Sequence, residues 1–329
     1  MRGRLNNCMK KIFPIVLLLA VILGIVLYRQ FFAALGSGED ERFIVPLNTE
    51  TSEVVKKLKD EGFIRDISGF DITLFLRGGG PIRPGGYKIS KGMSAWEMVS
   101  VMRNGPYMEW VTVPEGLRKE EIVDILGETL GWTDQEKSDW INKYTAMKYD
   151  EIEGVYFPDT YLLPKDETGL QIADRLQTKF NEKFQPYADK FAKENIKWTT
   201  ALKVASLVQR EAADKTDMPL IAGILWNRLL NDPPMRLEID ATVQYALGKS
   251  GNWWPKIKPA DYKTDSPYNT YLNKGLPPHP ICNPGINAID AVLNPAKTDC
   301  LYYLHDADRE IHCAVTYDEH LQNIEKYLK

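Results

Sequence analysis

Cysteine and histidine are scarce in this chain, four of each in 329 residues, and neither occurs in a metal-binding pair. There is no C-x-x-C and no H-x-x-x-H spacing, although Cys300, His305, His312, Cys313 and His320 crowd together near the C-terminus. Core thiols and surface imidazoles account for that group better than zinc, so no metal is expected. Cys8 precedes an apolar run, and Cys282, Cys300 and Cys313 follow it. That odd number permits at most one internal disulfide and does not look like a staple framework. A strong charge is lacking too: 41 basic against 45 acidic residues leave a net −4, which speaks against a nucleic-acid partner. The apolar run lacks a small-x-small cleavage site, which speaks against a removed signal peptide. No cysteine follows small residues at its end, which speaks against lipoprotein processing.

What is present at the N-terminus is a candidate membrane anchor. Arg2, Arg4, Lys10 and Lys11 precede residues 12–28, an uncharged and almost wholly apolar stretch, and residues 31–35 extend it past Arg29 and Gln30. The run of about 20 residues is enough to cross a bilayer as a helix. The far flank, Gly38-Glu-Asp-Glu41, is acidic while the near flank is basic, so the positive-inside rule keeps the N-terminus cytoplasmic. The expected order is a basic cytoplasmic tail (1–11), an anchor (12–35) and a short polar linker (36–42). About 290 residues remain beyond the membrane, enough for two domains.

After the linker a strand-then-helix unit recurs. Phe43-Ile-Val-Pro46 leads into an amphipathic helix over residues 52–61, carried by Val54, Val55 and Leu58 and stopped by Gly62. Tyr87-Lys-Ile-Ser90 leads into Ser94-Ala-Trp-Glu97, a capping box, and that helix ends at Gly105. Val111-Thr-Val-Pro-Glu-Gly116 leads into a third helix over residues 119–129. Small α+β units of this kind resemble the LysM-type modules that dock on cell-wall glycans; a spacer holding the next domain off the membrane fits equally well. The module is expected over 43–131, a polar helical connector over 132–152, and a mixed α/β domain over 153–329. Within that domain Met235-Arg-Leu-Glu-Ile239 alternates like a strand, residues 286–293 form a helix, and residues 301–304 and 311–315 form a terminal strand pair.

One residue stands out chemically. In Leu202-Lys-Val-Ala-Ser-Leu-Val-Gln-Arg-Glu211, Val204, Leu207 and Val208 repeat at the spacing of a core-facing helical stripe. Glu211 shares that stripe, while Gln209 and Arg210 point away from it. A carboxyl so placed is partly desolvated, which favours its protonated form. Cleaving a glycosidic bond requires such an acid. The bland alternative is a buried glutamate satisfied by an arginine or a backbone amide. Asn227, Asp240, Tyr245, Tyr268, Asn269, Thr270, Tyr271 and Asn283 are polar residues in apolar or loop-forming segments, with Trp253 and Trp254 nearby in sequence. Amides, hydroxyls and aromatic faces together suit a sugar ring, although each alone is commonly structural. Asp159 and Asp240 are the candidates for a second carboxylate.

Long ordered blocks then identify a family. They are Glu153-Gly-Val-Tyr-Phe-Pro-Asp-Thr-Tyr161, Ala205-Ser-Leu-Val-Gln-Arg-Glu-Ala212, Ile221-Ala-Gly-Ile-Leu-Trp-Asn-Arg-Leu229, Met235-Arg-Leu-Glu-Ile-Asp-Ala-Thr-Val243, Tyr268-Asn-Thr-Tyr-Leu-Asn-Lys-Gly-Leu-Pro-Pro278, Ile281-Cys-Asn-Pro-Gly285 and Asn294-Pro-Ala296. Over nearly its whole length the chain resembles the YceG-like endolytic murein transglycosylases. That resemblance implies cleavage of peptidoglycan glycan strands between N-acetylmuramic acid and N-acetylglucosamine, leaving 1,6-anhydromuramoyl ends. It places the catalytic glutamate on Glu211, implies no metal or organic cofactor, and makes wall-synthesis proteins plausible partners. In two places the sequence departs from the family pattern: Gln209 replaces a frequent second glutamate, and Asp240-Ala241-Thr242 replaces Asp-Pro-Thr. A muramidase using Asp240, or a non-catalytic wall-binding scaffold, are the competing readings.

Overall fold

The computed structural model describes residues 2–145 and 153–328; residues 146–152, the end of the expected connector, lie outside them. Helix α1 (Arg2–Phe31) opens the chain. Its segment Phe13–Phe31 has a mean hydropathy of 2.1 and is long and apolar enough to cross a membrane. The chain divides into two compact units: Met1–Trp110 with Leu162–Asp166, and Val111–Tyr161 with Glu167–Lys329. Residues 111–131, read from the sequence as part of the first module, thus group with the second unit.

The first unit is mixed α+β. Strands β1 (Glu41–Val45) and β2 (Gly85–Ile89) pair antiparallel with Phe43 opposite Tyr87. Helices α2 (Thr51–Asp60), α3 (Ile67–Leu76) and α4 (Ala95–Asn104) complete it. The core joins Phe43 and Val45 to Val54, Val55 and Leu58 of α2, Phe70 and Leu74 of α3, and Met98 and Val99 of α4. The capping box forms as expected: Ser94 Oγ accepts from Glu97 N–H, and the Glu97 carboxylate accepts from Ser94 N–H. Gly105 ends α4 at φ +94°, a conformation that glycine adopts without strain. Helix α3 carries no strong pattern in the sequence; Asp66 starts it by accepting from Ser68 N–H and Gly69 N–H. Strands β3 (Met108–Thr112) and β4 (Thr160–Pro164) complete a sheet of order β1-β2-β3-β4, and each contains residues of both units.

The second unit is built around a central helix. Its elements are α5 (Lys119–Leu130), α6 (Asp134–Asp139) running into a π-helical turn, α7 (Gly169–Lys193), α8 (Trp198–Glu211), α9 (Met218–Leu230), α10 (Asp240–Leu247), α11 (Ile286–Leu293), the hairpin β5 (Tyr302–His305) and β6 (Ile311–Ala314), and α12 (Tyr317–Tyr327). Helix α8 packs against α7, α9, α10 and α11. Its Leu202, Val204, Ala205, Leu207 and Val208 are fully buried, as are Ala288 and Ile289 of α11. At Gly223 of α9, a Cβ would fall 2.4 Å from the carbonyl oxygen of Ala296, so only glycine allows that approach.

Two expectations are corrected here. Residues 235–239 form no strand: Arg228 donates to the carbonyls of Arg236 and Leu237, and Glu238 sits at φ +50°, so side-chain bonds replace a ladder. Cys300, just before β5, and Cys313 of β6 form a disulfide rather than standing as thiols, which withdraws both from any metal site. Cys282 remains a free, buried thiol.

Candidate active site

Glu211 is the last residue of α8, and the chain turns to extended backbone at Ala212. The carboxylate is therefore carried at the end of a largely buried helix, and the residue itself is half-buried. From β5, the Tyr303 hydroxyl donates to Glu211 Oε2 at 2.7 Å. Strand alternation puts His305 on the same side as Tyr303. His305 Nε2 lies 2.7 Å from Asp217 Oδ2. Asp217 also accepts from Ala213 N–H and Asp214 N–H, so it ties the turn after Glu211 to β5.

The opposite wall comes from α10. Ala241 N–H and the Asp240 charge both lie close enough to act on the Glu211 carboxyl. Tyr271 donates to Asp240 Oδ1 at 2.7 Å, and the Tyr262 ring packs 4.4 Å from the Tyr271 ring. Asp240 is exposed, so this polar row runs from Glu211 out to solvent.

Burial is the largest influence on Glu211 and raises its pKa above the usual carboxylate value; the Asp240 charge acts in the same direction. The Tyr303 hydrogen bond, His305 and Ala241 N–H oppose the rise without cancelling it. Each opposing group stabilises the carboxylate. The site thus favours a protonated acid yet holds donors ready for the anion left after proton transfer. Burial and the neighbouring Glu211 carboxylate push Tyr303 well above its ordinary value, so it stays a neutral donor.

The residues selected from the sequence separate into two groups. Glu211, Asp240 and Tyr271 come together. Asn227 instead donates to the carbonyls of Thr298 and Cys300. Asn269 donates to Tyr262 O and Thr264 O and accepts from Tyr271 N–H, shaping the loop that carries Tyr271. Buried Thr270 accepts from Ile239 N–H and bonds Thr242 at the start of α10. Asn283 is fully buried, accepting from Gly154 N–H and Tyr156 N–H and donating to Glu153 and Leu117 O. Tyr245 and Tyr268 pack with ring centroids 4.7 Å apart, with the Arg118 guanidinium 4.0 Å over Tyr245. Trp253 lies under Arg118 as well, and Trp254 stacks on Arg210 at 3.7 Å. Asp159 accepts from Thr160 N–H. Gln209 accepts from Gly285 N–H, a bond that needs no second carboxylate.

Tyr303, His305, Asp217 and Tyr262 were missed in the sequence. Tyr303 falls in the strand expected over residues 301–304, which stops one residue short of His305, and nothing in that pattern points to Glu211. A trio with ligand atoms within 4.8 Å of one another, Asp306, Glu310 and His312, lies at the turn end of the hairpin. Local structure accounts for His312, which bonds Asp306 and stacks 3.6 Å from Tyr327.

The YceG-like family model matches residues 43–326, nearly all of the chain beyond the apolar helix. The chain belongs to the YceG-like family. It is 29% identical over 306 residues to the endolytic murein transglycosylase of Bacillus subtilis, covering 86% of this chain and 84% of that one. It is 26% identical over 321 residues to the enzyme of the same name in Streptococcus pneumoniae strain D39, and there it spans only 58% of the relative's length. A crystal structure of a YceG-like protein from Listeria monocytogenes superposes with a TM-score of 0.62 at 26% identity, covering 87% of this chain and 99% of that one.

Proposed function

We propose that this chain is a lytic transglycosylase that cuts peptidoglycan glycan strands internally, between N-acetylmuramic acid and N-acetylglucosamine, with Glu211 as its acid and base. The observation that carries the reading is a half-buried Glu211 whose pKa burial raises, hydrogen-bonded to Tyr303 beside a solvent-facing row of polar and aromatic groups. The names of the Bacillus and pneumococcal relatives support it.

In this mechanism protonated Glu211 gives its proton to the glycosidic oxygen as positive charge develops at C1 of the muramoyl residue. The substrate's own 2-acetamido carbonyl stabilises that charge. The Glu211 carboxylate, held by Tyr303 and further favoured by the nearby Ala241 N–H, then takes the proton of the C6 hydroxyl as that oxygen bonds to C1. The product is a 1,6-anhydromuramoyl end, and no water is consumed. Asp240 and Tyr271 line the sugar-binding wall, while Asn227, Tyr245, Tyr268, Asn269, Thr270 and Asn283 hold the loops behind it. No metal or organic cofactor takes part.

Helix α1 anchors the protein in the cytoplasmic membrane with its N-terminus inside, and the second unit works on nascent strands outside. The first unit acts as a LysM-like glycan-docking module, and wall-synthesis proteins are its expected neighbours. A hydrolase reading keeps one specific support, because Asp240 is a second carboxylate within electrostatic reach of Glu211.

The deciding experiment is mass spectrometry of muropeptides after incubation with uncrosslinked peptidoglycan strands. Anhydromuramoyl ends that vanish in a folded Glu211→Gln variant are expected. Removing the acid should cost at least about 10²–10⁴-fold in rate. Reducing ends would make the protein a hydrolase; a near-normal rate in Glu211→Gln would remove Glu211 from the mechanism.

A further inference from the structure

Helix α3 is apolar on its buried face and largely so toward its exposed C-terminal end, where Ile72, Phe75 and Leu76 follow the exposed Ser68 and Asp71 of its first half. Phe70, Thr73 and Leu74 are buried in the first unit's core, whereas Ile72, Phe75 and Leu76 are 48%, 77% and 61% exposed. Large apolar side chains on a helix belong in a protein core or in lipid, and the core covers only one side of α3; the exposed Asp71, a turn before Phe75, suits the headgroup side of such a surface.

What adjoins α3 is the end of α1. At Gly69 a Cβ would fall 2.1 Å from the carbonyl oxygen of Phe31, the last residue of α1, so the two backbones touch there. The residues that follow α1 are bound to the same unit. Ala95 N–H donates to Phe32 O, and Leu35 N–H and Gly36 N–H both donate to Lys91 O. The Phe32 ring lies 6.3 Å from that of Trp96, and the Arg77 guanidinium sits 5.6 Å over the same indole. No free tether therefore separates the apolar segment of α1 from α3.

The exposed stripe begins close to the end of α1, since Ile72 is three residues beyond Gly69. Phe75 is six residues beyond Gly69, about 9 Å along a helix rising 1.5 Å per residue. Ile72, Phe75 and Leu76 follow the i, i+3, i+4 spacing of a single stripe. Arg77 at its end, with Trp96, Phe32 and Arg29, makes the aromatic and cationic collar that suits the headgroup layer.

We propose that α3 is an interfacial helix whose Ile72, Phe75 and Leu76 insert into the lipid surface where α1 emerges, holding the first unit against the bilayer. The proposal rests on reading α1 as a membrane span, and it gives the protein two membrane attachments in place of one flexible anchor.

The test uses the full chain in vesicles of phosphatidylcholine and phosphatidylglycerol. In a Cys8→Ser background, where the remaining free thiol Cys282 is buried, an environment-sensitive fluorophore is attached at Phe75→Cys, at Lys56→Cys on α2, or at Leu19→Cys within α1. The quencher is lipid brominated near the headgroup end of its acyl chains. The expected result is blue-shifted emission and loss of most intensity at positions 75 and 19, with position 56 wet and unquenched. Quenching at 19 with a wet, unquenched 75 overturns the interfacial helix and leaves the anchor standing. An unquenched 19 removes the anchor itself, and the proposal with it.

Discussion

The Tyr303 hydroxyl donates a 2.7 Å hydrogen bond to Oε2 of Glu211 from a strand 92 residues further along the chain. A buried acid with no donor would resist losing its proton, and one with many donors would not keep it. Here burial outweighs a single strong donor and its two weaker allies, so the carboxyl is protonated more readily than usual yet stabilised once it ionises.

Tyr303→Phe should therefore slow turnover by about five- to tenfold, the worth of one net hydrogen bond of roughly 1 kcal/mol. Because that bond lowers the Glu211 pKa, its loss should move the alkaline limb of the pH–rate profile to higher pH. A profile and a rate both unchanged would leave Tyr303 a structural contact only.

Asp240→Asn separates the two chemistries. The Asp240 charge raises the Glu211 pKa, so its removal should shift the alkaline limb to lower pH while anhydro ends are still formed. If Asp240 activates water instead, turnover should collapse by about 10²–10⁴-fold. Kinetics read together with product ends decide between these outcomes.

Glu153 is fully buried, and among the described residues its Oε2 has no hydrogen-bond partner. Its Oε1 accepts from Lys119 N–H and Asn283. Burial first, and the Glu120 charge second, raise its pKa well above the usual carboxylate range. With the folded-state value above the unfolded one, the folded chain holds more protons, so stability is present at low pH. It is lost as pH rises from the unfolded value near 4.3 through the folded one. Glu153→Gln cannot ionise, and its Tm relative to wild type should climb with pH across that window. A Tm difference flat with pH would refute this.

Gly223→Ala would press a methyl group onto the Ala296 carbonyl at 2.4 Å. Backbone cannot rotate aside as a side chain can, so a loss of about 1–3 kcal/mol is expected in denaturant unfolding. An unchanged midpoint would mean that α9 shifts freely.

Much of the local architecture was legible before any coordinates. The Val54, Val55 and Leu58 stripe, the Ser94–Glu97 capping box, the glycine stops at 62 and 105, and the α8 stripe ending in Glu211 all appear where their patterns put them. Helices α3 and α12 went unread because α3 has no amphipathic period, and α12 has no buried residue to mark a core face. Residues 235–239 alternate like a strand, but Arg228 takes two of their carbonyls, a competition that no local pattern announces.

The candidate site divides along the same line. A carboxyl on the greasy side of a helix is a matter of spacing within a few turns, and so is an apolar run long enough for lipid, because both depend on near neighbours. Most of the polar residues chosen as sugar ligands are amides and hydroxyls, and their chemistry serves a buried loop as well as a ligand. Whether Asn283 faces a cleft or caps Gly154 and Tyr156 depends on which backbone donors folding brings within hydrogen-bonding distance of it. The same holds for the pairing of Cys300 with Cys313 and for Tyr303, His305 and Asp217 around Glu211. Those partners are separated in sequence and adjacent only in space, so packing of the hairpin and α10 against α8 decides them, through burial and hydrogen bonds that no stretch of chain contains alone.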